Sequence, residues 1–125
     1  MDTSSSARSV GSHRDLIVWQ KAMGLTVEIY RLSRRFPRDE TYRLTSRITR
    51  AAASVPANIA EGNARSTARD YAHFISIAKG SLMETETFLM LAVRLGYLSD
   101  DLAAPALNLI TQISKMLTRL RTRLT

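Results

Sequence analysis

Arginine carries most of the chemistry this sequence offers. Arg31, Arg34, Arg35 and Arg38 crowd one stretch, and Arg43, Arg47 and Arg50 follow at i, i+4 and i+7. Between Arg31 and Arg50 there are seven Arg and two acids, a local surplus of five positive charges. Lys115, Arg119 and Arg123 repeat the pattern at i, i+4 and i+8, with Arg121 beside them and no acid after Asp101. A guanidinium meets phosphate or carboxylate through two parallel N–H bonds. Cations spaced along a helix neutralise successive phosphates, which gives affinity without reading sequence. Arg34, Arg35, Arg38, Arg43, Arg47, Arg50, Lys115, Arg119 and Arg123 are therefore the candidate contacts to RNA or DNA. A helix C-terminus also attracts cations, and a solvated charged face is the plainer account of either set. No helix-turn-helix, zinc-finger or aromatic RNA-binding signature accompanies them.

A second constellation is polar: Asn58, Glu61, Ser81 and Glu84. Glu84 interrupts an apolar seam, and a carboxylate there requires a charged or hydrogen-bonding partner. Arg47 and Arg50 can supply one across a helix–helix contact. A network that fixes register or a subunit contact accounts for the set better than acid–base catalysis does. Glu84 and Glu86, two residues apart, point to different sides of a helix and cannot face each other across a substrate. Neither His13 nor His73 follows a Glu by three residues, the pattern of di-metal sites in helix bundles. There is no Cys, so thiolate metal sites, disulfides and cysteine nucleophiles are absent together. Glycines at 24, 62, 80 and 96 match neither a phosphate loop nor a dinucleotide fingerprint. No Gly-x-Ser-x-Gly and no nucleophile–base pair is present. The expectation is a chain without catalytic activity, cofactor or metal.

These residues must be positioned by a small, basic chain. It has 125 residues, 18 Lys and Arg against 11 Asp and Glu, and a net charge of +7. That length suits one domain, and the charge favours polyanionic partners. Five Gly, three Pro and 6% aromatic residues are too few turn and strand formers for a many-stranded β protein. No apolar run reaches the ~18 residues of a membrane span, and the N-terminus lacks the apolar core of a signal peptide. A cytoplasmic location away from membranes is the expectation. Residues 1–13, rich in Ser, read as a disordered tail. Residues 14–125 read as a single domain.

Apolar spacing divides that domain into four helical segments. In the first, from about Asp15 to Phe36, Val18, Ala22, Leu25, Ile29, Leu32 and Phe36 recur at alternating four and three, a heptad-like stripe. Leu16, Trp19, Met23, Val27 and Tyr30 form another beside it. The second segment, about Asp39 to Gly62, places Leu44, Ile48, Ala51, Ala52, Val55 and Ile59 on one face. Pro56 cannot donate to the Ala52 carbonyl, which predicts a kink or short break. The third, about Ala68 to Leu95, has Tyr71, Phe74, Ile75, Ala78, Leu82, Leu89, Ala92 and Val93 on one face. Its second seam holds Ile77, Ser81, Glu84, Phe88, Leu91 and Leu95. The last, about Asp101 to Leu124, has one seam: Leu102, Ala106, Ile110, Ile113, Leu117, Leu120 and Leu124. Pro37, Gly62 and Gly96 mark the stops, and Asp39, Thr67 and Ser99 are N-cap candidates.

Long helices joined by short turns predict an all-α fold, an antiparallel up-down-up-down four-helix bundle. The second stripes on the first and third helices exceed what one bundle seam covers. Trp19, Met23, Tyr30, Ile77, Phe88 and Leu91 are therefore candidate contacts to another copy of the chain. A broad, well-filled core is the alternative.

Several blocks together carry a resemblance. They are Asp15-Leu16-Ile17-Val18-Trp19-Gln20-Lys21-Ala22, Phe36-Pro37, Glu40-x-Tyr42-x-Leu44-Thr45-Ser46, Ser54-Val55-Pro56-x-Asn58-Ile59-Ala60-Glu61-Gly62, Gly80-Ser81-Leu82-x-Glu84 and Leu95-Gly96-Tyr97. From Asp15 to Tyr97 the chain resembles the four-helix-bundle family encoded in 23S rRNA intervening sequences. The resemblance implies a bundle assembled as a homopentameric ring, with a biochemical role largely unassigned in the family. The fold is also similar to the accessory variability protein of diversity-generating retroelements, a basic pentamer that binds nucleic acid and partners a reverse transcriptase. Where relatives often read Tyr-Gly-Leu-Thr-Ser-Gln, this chain has Tyr42-Arg43-Leu44-Thr45-Ser46-Arg47, two extra cations on the basic stripe. A non-enzymatic oligomer that binds RNA or DNA is the leading expectation. An oligomeric scaffold for another protein is its rival.

Overall fold

The computed structural model describes residues 12–125. Of the tail expected over residues 1–13, residues 1–11 lie outside the described residues. Ser12 and His13 belong to an ordered entry, where the Ser12 side chain accepts from the Arg14 N–H and caps a 3-10 turn, His13–Asp15. Four α-helices follow: α1 (Ile17–Ser33), α2 (Leu44–Asn63), α3 (Ala68–Arg94) and α4 (Asp100–Leu124). Among the described residues there is no strand. Helices consecutive in sequence pack together, and α1 also packs on α4.

The apolar periods generate this arrangement. All six residues of the first stripe, Val18 to Phe36, are buried. Leu25, Ile29, Ile48, Ile59, Ile75, Leu82, Leu89, Ile110, Ile113 and Leu117 are each under 2% exposed. Burying one such side chain contributes about 1.5–3 kcal/mol, so this core is the main source of cohesion. Along α4 the seam begins one residue later than its spacing suggests: Ala103 is buried and Leu102 is exposed. Thr85, in the middle of α3, is fully buried, and its hydroxyl donates to the Ser81 carbonyl at 2.9 Å.

Two N-caps lie where the sequence places them. Thr67 accepts from the Asp70 N–H and Ser99 from the Leu102 N–H, each at 3.1 Å. Asp39 does not cap α2. It sits in a 3-10 turn, Arg38–Glu40, that follows Pro37, and α2 begins at Leu44. The Glu40 carboxylate accepts from the Leu44 N–H at 3.3 Å and takes the capping role. At the end of α3, Gly96 adopts φ +81°, the left-handed conformation that costs least for glycine. Its N–H donates to Val93 and that of Tyr97 to Ala92, which closes the helix in a Schellman motif.

Pro56 does not break α2, which is helical through Asn63. The Thr26 hydroxyl of α1 lies 3.1 Å from the Ala52 carbonyl that Pro56 leaves without its helical donor, as well as 2.9 Å from the Ala22 carbonyl. A neighbouring helix thus supplies the missing partner and removes the reason for a break. Gly62 is buried where α2 approaches α3 most closely; a Cβ there would lie 2.9 Å from Phe74 Cβ and from Tyr71 Cδ1. No helix of the described residues is long and apolar enough to cross a membrane.

Candidate nucleic-acid interface

Every candidate cation is exposed: Arg34, Arg35, Arg38, Arg43, Arg47, Arg50, Lys115, Arg119 and Arg123. Among the described residues none of the nine makes an ion pair. The two pairs found there are Arg31–Glu28 at 2.9 Å and Arg65–Glu61 at 2.7 Å.

The nine fall into two separate fields. Arg34 and Arg35 follow the last turn of α1, and the turn through Pro37 brings Arg38, Arg43, Arg47 and Arg50 along the start of α2. Arg119 and Arg123 line a groove with Asp15, Leu16, Ile17 and Val18, at the opposite end of α1. The 17 residues of α1 rise about 25 Å, so the fields are distinct. Arg121 donates to the Ser76 hydroxyl at 2.6 Å and ties α4 to α3.

The polar set converges on a residue that the sequence reading left out. The Asn58 amide donates to the Ser54 carbonyl at 2.8 Å and to its hydroxyl at 2.9 Å. The Ser54 and Ser81 hydroxyls are 2.8 Å apart across the α2–α3 contact. The available signal was spacing, since Ser54 precedes Asn58 by one helical turn on the side that faces α3. Glu61 is outside this network. It pairs with Arg65, whose guanidinium lies 4.6 Å from the centre of the Phe74 ring. Glu84 is exposed rather than held in a seam, and among the described residues it makes no ion pair with Arg47 or Arg50. It shares with them an open cleft of about 460 Å³ between α2 and α3, whose other walls include Ser54, Ser81 and Phe88.

The candidate subunit contacts divide by burial. Trp19 and Phe88 pack partly against their own core, and the indole meets the His13 ring edge-on at 5.0 Å. Met23, Tyr30, Ile77 and Leu91 are between 39% and 51% exposed, and Val27 and Leu95 join them. His73 lies against Phe74, far along the chain from His13.

A clasp at the α1–α2 turn was not visible as a unit in the sequence. The Tyr97 hydroxyl donates to Glu40 at 2.7 Å, and the Phe36 and Tyr97 rings lie 5.7 Å apart. The hydrogen bond from Tyr97, then that from the Leu44 N–H, holds the Glu40 carboxyl below its ordinary pKa. The same bond to Glu40 raises the Tyr97 phenol. Phe36, Glu40 and Tyr97 come from blocks that carry the family resemblance, and the structure joins them.

Residues 14–119 match the family described as 23S rRNA-intervening sequence protein. The chain belongs to that family. Its fold is similar to the crystal structure of a protein of unknown function from the S23 ribosomal protein family of Bacteroides thetaiotaomicron VPI-5482. The TM-score is 0.78 at 25% identity, over 84% of this chain and 98% of that one. No curated protein matches. The Asn58-to-Gly62 and Gly80-to-Glu84 blocks lie within the residues that match the 23S rRNA-intervening sequence family. In this family member Gly62 lets α2 approach Tyr71 and Phe74 of α3, and Ser81 of α3 meets Ser54 of α2.

Proposed function

We propose that the chain is a non-enzymatic, cytoplasmic nucleic-acid-binding protein, an antiparallel up-down-up-down bundle that assembles as a homo-oligomeric ring. Five copies is the number the family resemblance suggests. The observation that carries the binding role is the set of nine exposed cations without ion pairs among the described residues. From Arg34 to Arg50 six Arg face two acids, Asp39 and Glu40, a surplus of four positive charges on one stretch. Each phosphate contact releases condensed counterions, so affinity should fall linearly in log–log form with salt. A ring would repeat the field once per subunit and add avidity.

Support for assembly comes from Met23, Val27, Tyr30, Ile77 and Leu91, apolar side chains left exposed on two helices. Contacts between the start of α1 and the end of α4 support the antiparallel arrangement. The test of binding is retention of generic RNA and DNA at low salt by the purified protein, with Arg43, Arg47 and Arg50 each reversed to Glu in the comparison variant. Retention that the variant loses supports the proposal. No retention by the unaltered protein rejects it and favours the protein-scaffold rival. Light scattering that reports the mass of one chain at micromolar concentration rejects the ring.

A further inference from the structure

The proposed phosphate contacts leave two features of this surface without a role: a bare aromatic ring and a carboxylate that makes no ion pair among the described residues. Tyr42 is 93% exposed, more than any other large side chain with apolar character among the described residues. It stands between Arg38 and Arg43, at the entrance to α2. An aromatic ring left in water loses the burial that usually holds such a residue in place. With Arg43 next to it in the chain, it places an exposed π face in the stretch that holds the proposed phosphate contacts. From there Arg43, Arg47 and Arg50 lead along one side of α2 to the cleft against α3. Arg47 and Arg50 form one wall of that cleft, Glu84 and Phe88 the other. The carboxylate would repel a phosphate lying against it. It accepts hydrogen bonds, so it suits a base edge rich in donors.

On the reading that this surface binds nucleic acid, we infer that it takes an unpaired strand, with one base stacked on Tyr42 and another, preferably guanine, seated in the α2–α3 cleft against Glu84. The chemistry favours a single strand over a duplex. Paired bases have their faces stacked and their pairing edges occupied, whereas unpaired bases can splay onto aromatic rings and offer those edges to side chains. Guanine presents two adjacent donors on its pairing edge, N1–H and the N2 amino group, which match the two oxygens of one carboxylate. Uracil offers a single donor between two carbonyl oxygens, and those oxygens would face Glu84 unfavourably. Arg47 and Arg50 take the flanking phosphates on the opposite wall.

The experiment is fluorescence anisotropy at fixed salt with three labelled RNA probes: an all-uridine 12-mer, the same 12-mer with one central guanosine, and a 12-base-pair duplex. The proteins are the full chain, Tyr42→Ala and Glu84→Gln. Both substituted side chains are exposed, so the fold should persist, and circular dichroism checks this. The inference expects the single strands to bind more tightly than the duplex. Tyr42→Ala should weaken single-strand binding roughly 5- to 100-fold and leave the duplex unchanged. Glu84→Gln should erase the advantage of the guanosine probe while leaving the all-uridine probe equal or tighter. Salt-dependent binding to all three probes that neither substitution alters overturns the inference and leaves a phosphate-only interface. Binding to none of them overturns both readings. A change in assembly mass on Tyr42→Ala, with single-strand affinity intact, assigns the ring to a subunit contact and also overturns the inference.

Discussion

Gly62→Ala tests the packing of α2 on α3 at its tightest point. The added Cβ would lie 2.9 Å from Phe74 Cβ, 2.9 Å from Tyr71 Cδ1 and 3.2 Å from the Tyr71 carbonyl oxygen. Two of these three atoms are backbone or rigidly attached to it, so a side-chain rotation cannot relieve the clash. The helices must separate by several tenths of an ångström, which also strains the Asn63–Tyr71 hydrogen bond at 3.3 Å. Overpacking of this kind costs about 1–3 kcal/mol. Alanine recovers about 0.5–1 kcal/mol of helix entropy, so the net loss is at most about 2.5 kcal/mol and centres slightly above about 1 kcal/mol. For a domain of this size that central value lowers the melting temperature by about 4–5 °C. Gly24→Ala and Gly80→Ala are the internal controls: each added Cβ meets nothing within 4 Å. Each should gain about 0.5 kcal/mol or more. The assay is thermal and urea denaturation at one protein concentration, because self-association makes stability concentration-dependent. A Gly62→Ala protein that melts at or above the parent temperature refutes the close-approach argument.

Thr26→Val should destabilise by about 1–2 kcal/mol, because the Ala52 carbonyl loses its remaining donor. In a Pro56→Ala background, where a backbone N–H can again reach that carbonyl, the cost should shrink, and a double-mutant cycle in urea measures the difference. Gly96→Ala should cost about 1–2 kcal/mol for left-handed backbone in a non-glycine residue, visible as a lower melting temperature. The Glu40–Tyr97 clasp predicts a pH dependence with a defined sign. Because the folded pKa of Glu40 is lowered, its contribution is full above the ordinary value of about 4.3 and is lost as pH falls through the folded value. Tyr97 is raised, so its contribution is present below about 10 and is lost as pH climbs through the higher folded value. Urea midpoints followed against pH should therefore show a weaker acid limb in Glu40→Gln, and an unchanged limb would contradict the assignment.

Helix identity and core faces could be read from spacing. Val18, Ala22, Leu25, Ile29, Leu32 and Phe36 recur at helical intervals, and all six are buried. Thr67 and Ser99 cap the helices that follow them, since an N-cap needs only a side chain three residues from its donor. Where such local rules compete, sequence reading erred. Asp39 has the chemistry of a cap, yet Pro37 and the 3-10 turn carry it away from the helix start, and Glu40 fills the role. Pro56 carries a local expectation of a break, which a hydroxyl from another helix removes.

The candidate site divides along the same line. The cation stripes at Arg43, Arg47, Arg50 and at Lys115, Arg119, Arg123 are properties of single helices, and their exposure follows from their angle to the apolar face. That Arg119 and Arg123 sit at the far end of α1 from Arg34 and Arg35 depends on how α4 packs on α1. That Ser54 joins Asn58 to Ser81, while Glu61 turns to Arg65, depends on the axial register of α2 against α3. The sequence by itself determined four helices, the face each one buries and the residues that carry its charge, because a helix repeats at a fixed angle per residue. Only the tertiary structure decided which polar groups meet, because register and crossing are settled by close packing between helices, as where Gly62 admits Tyr71 and Phe74.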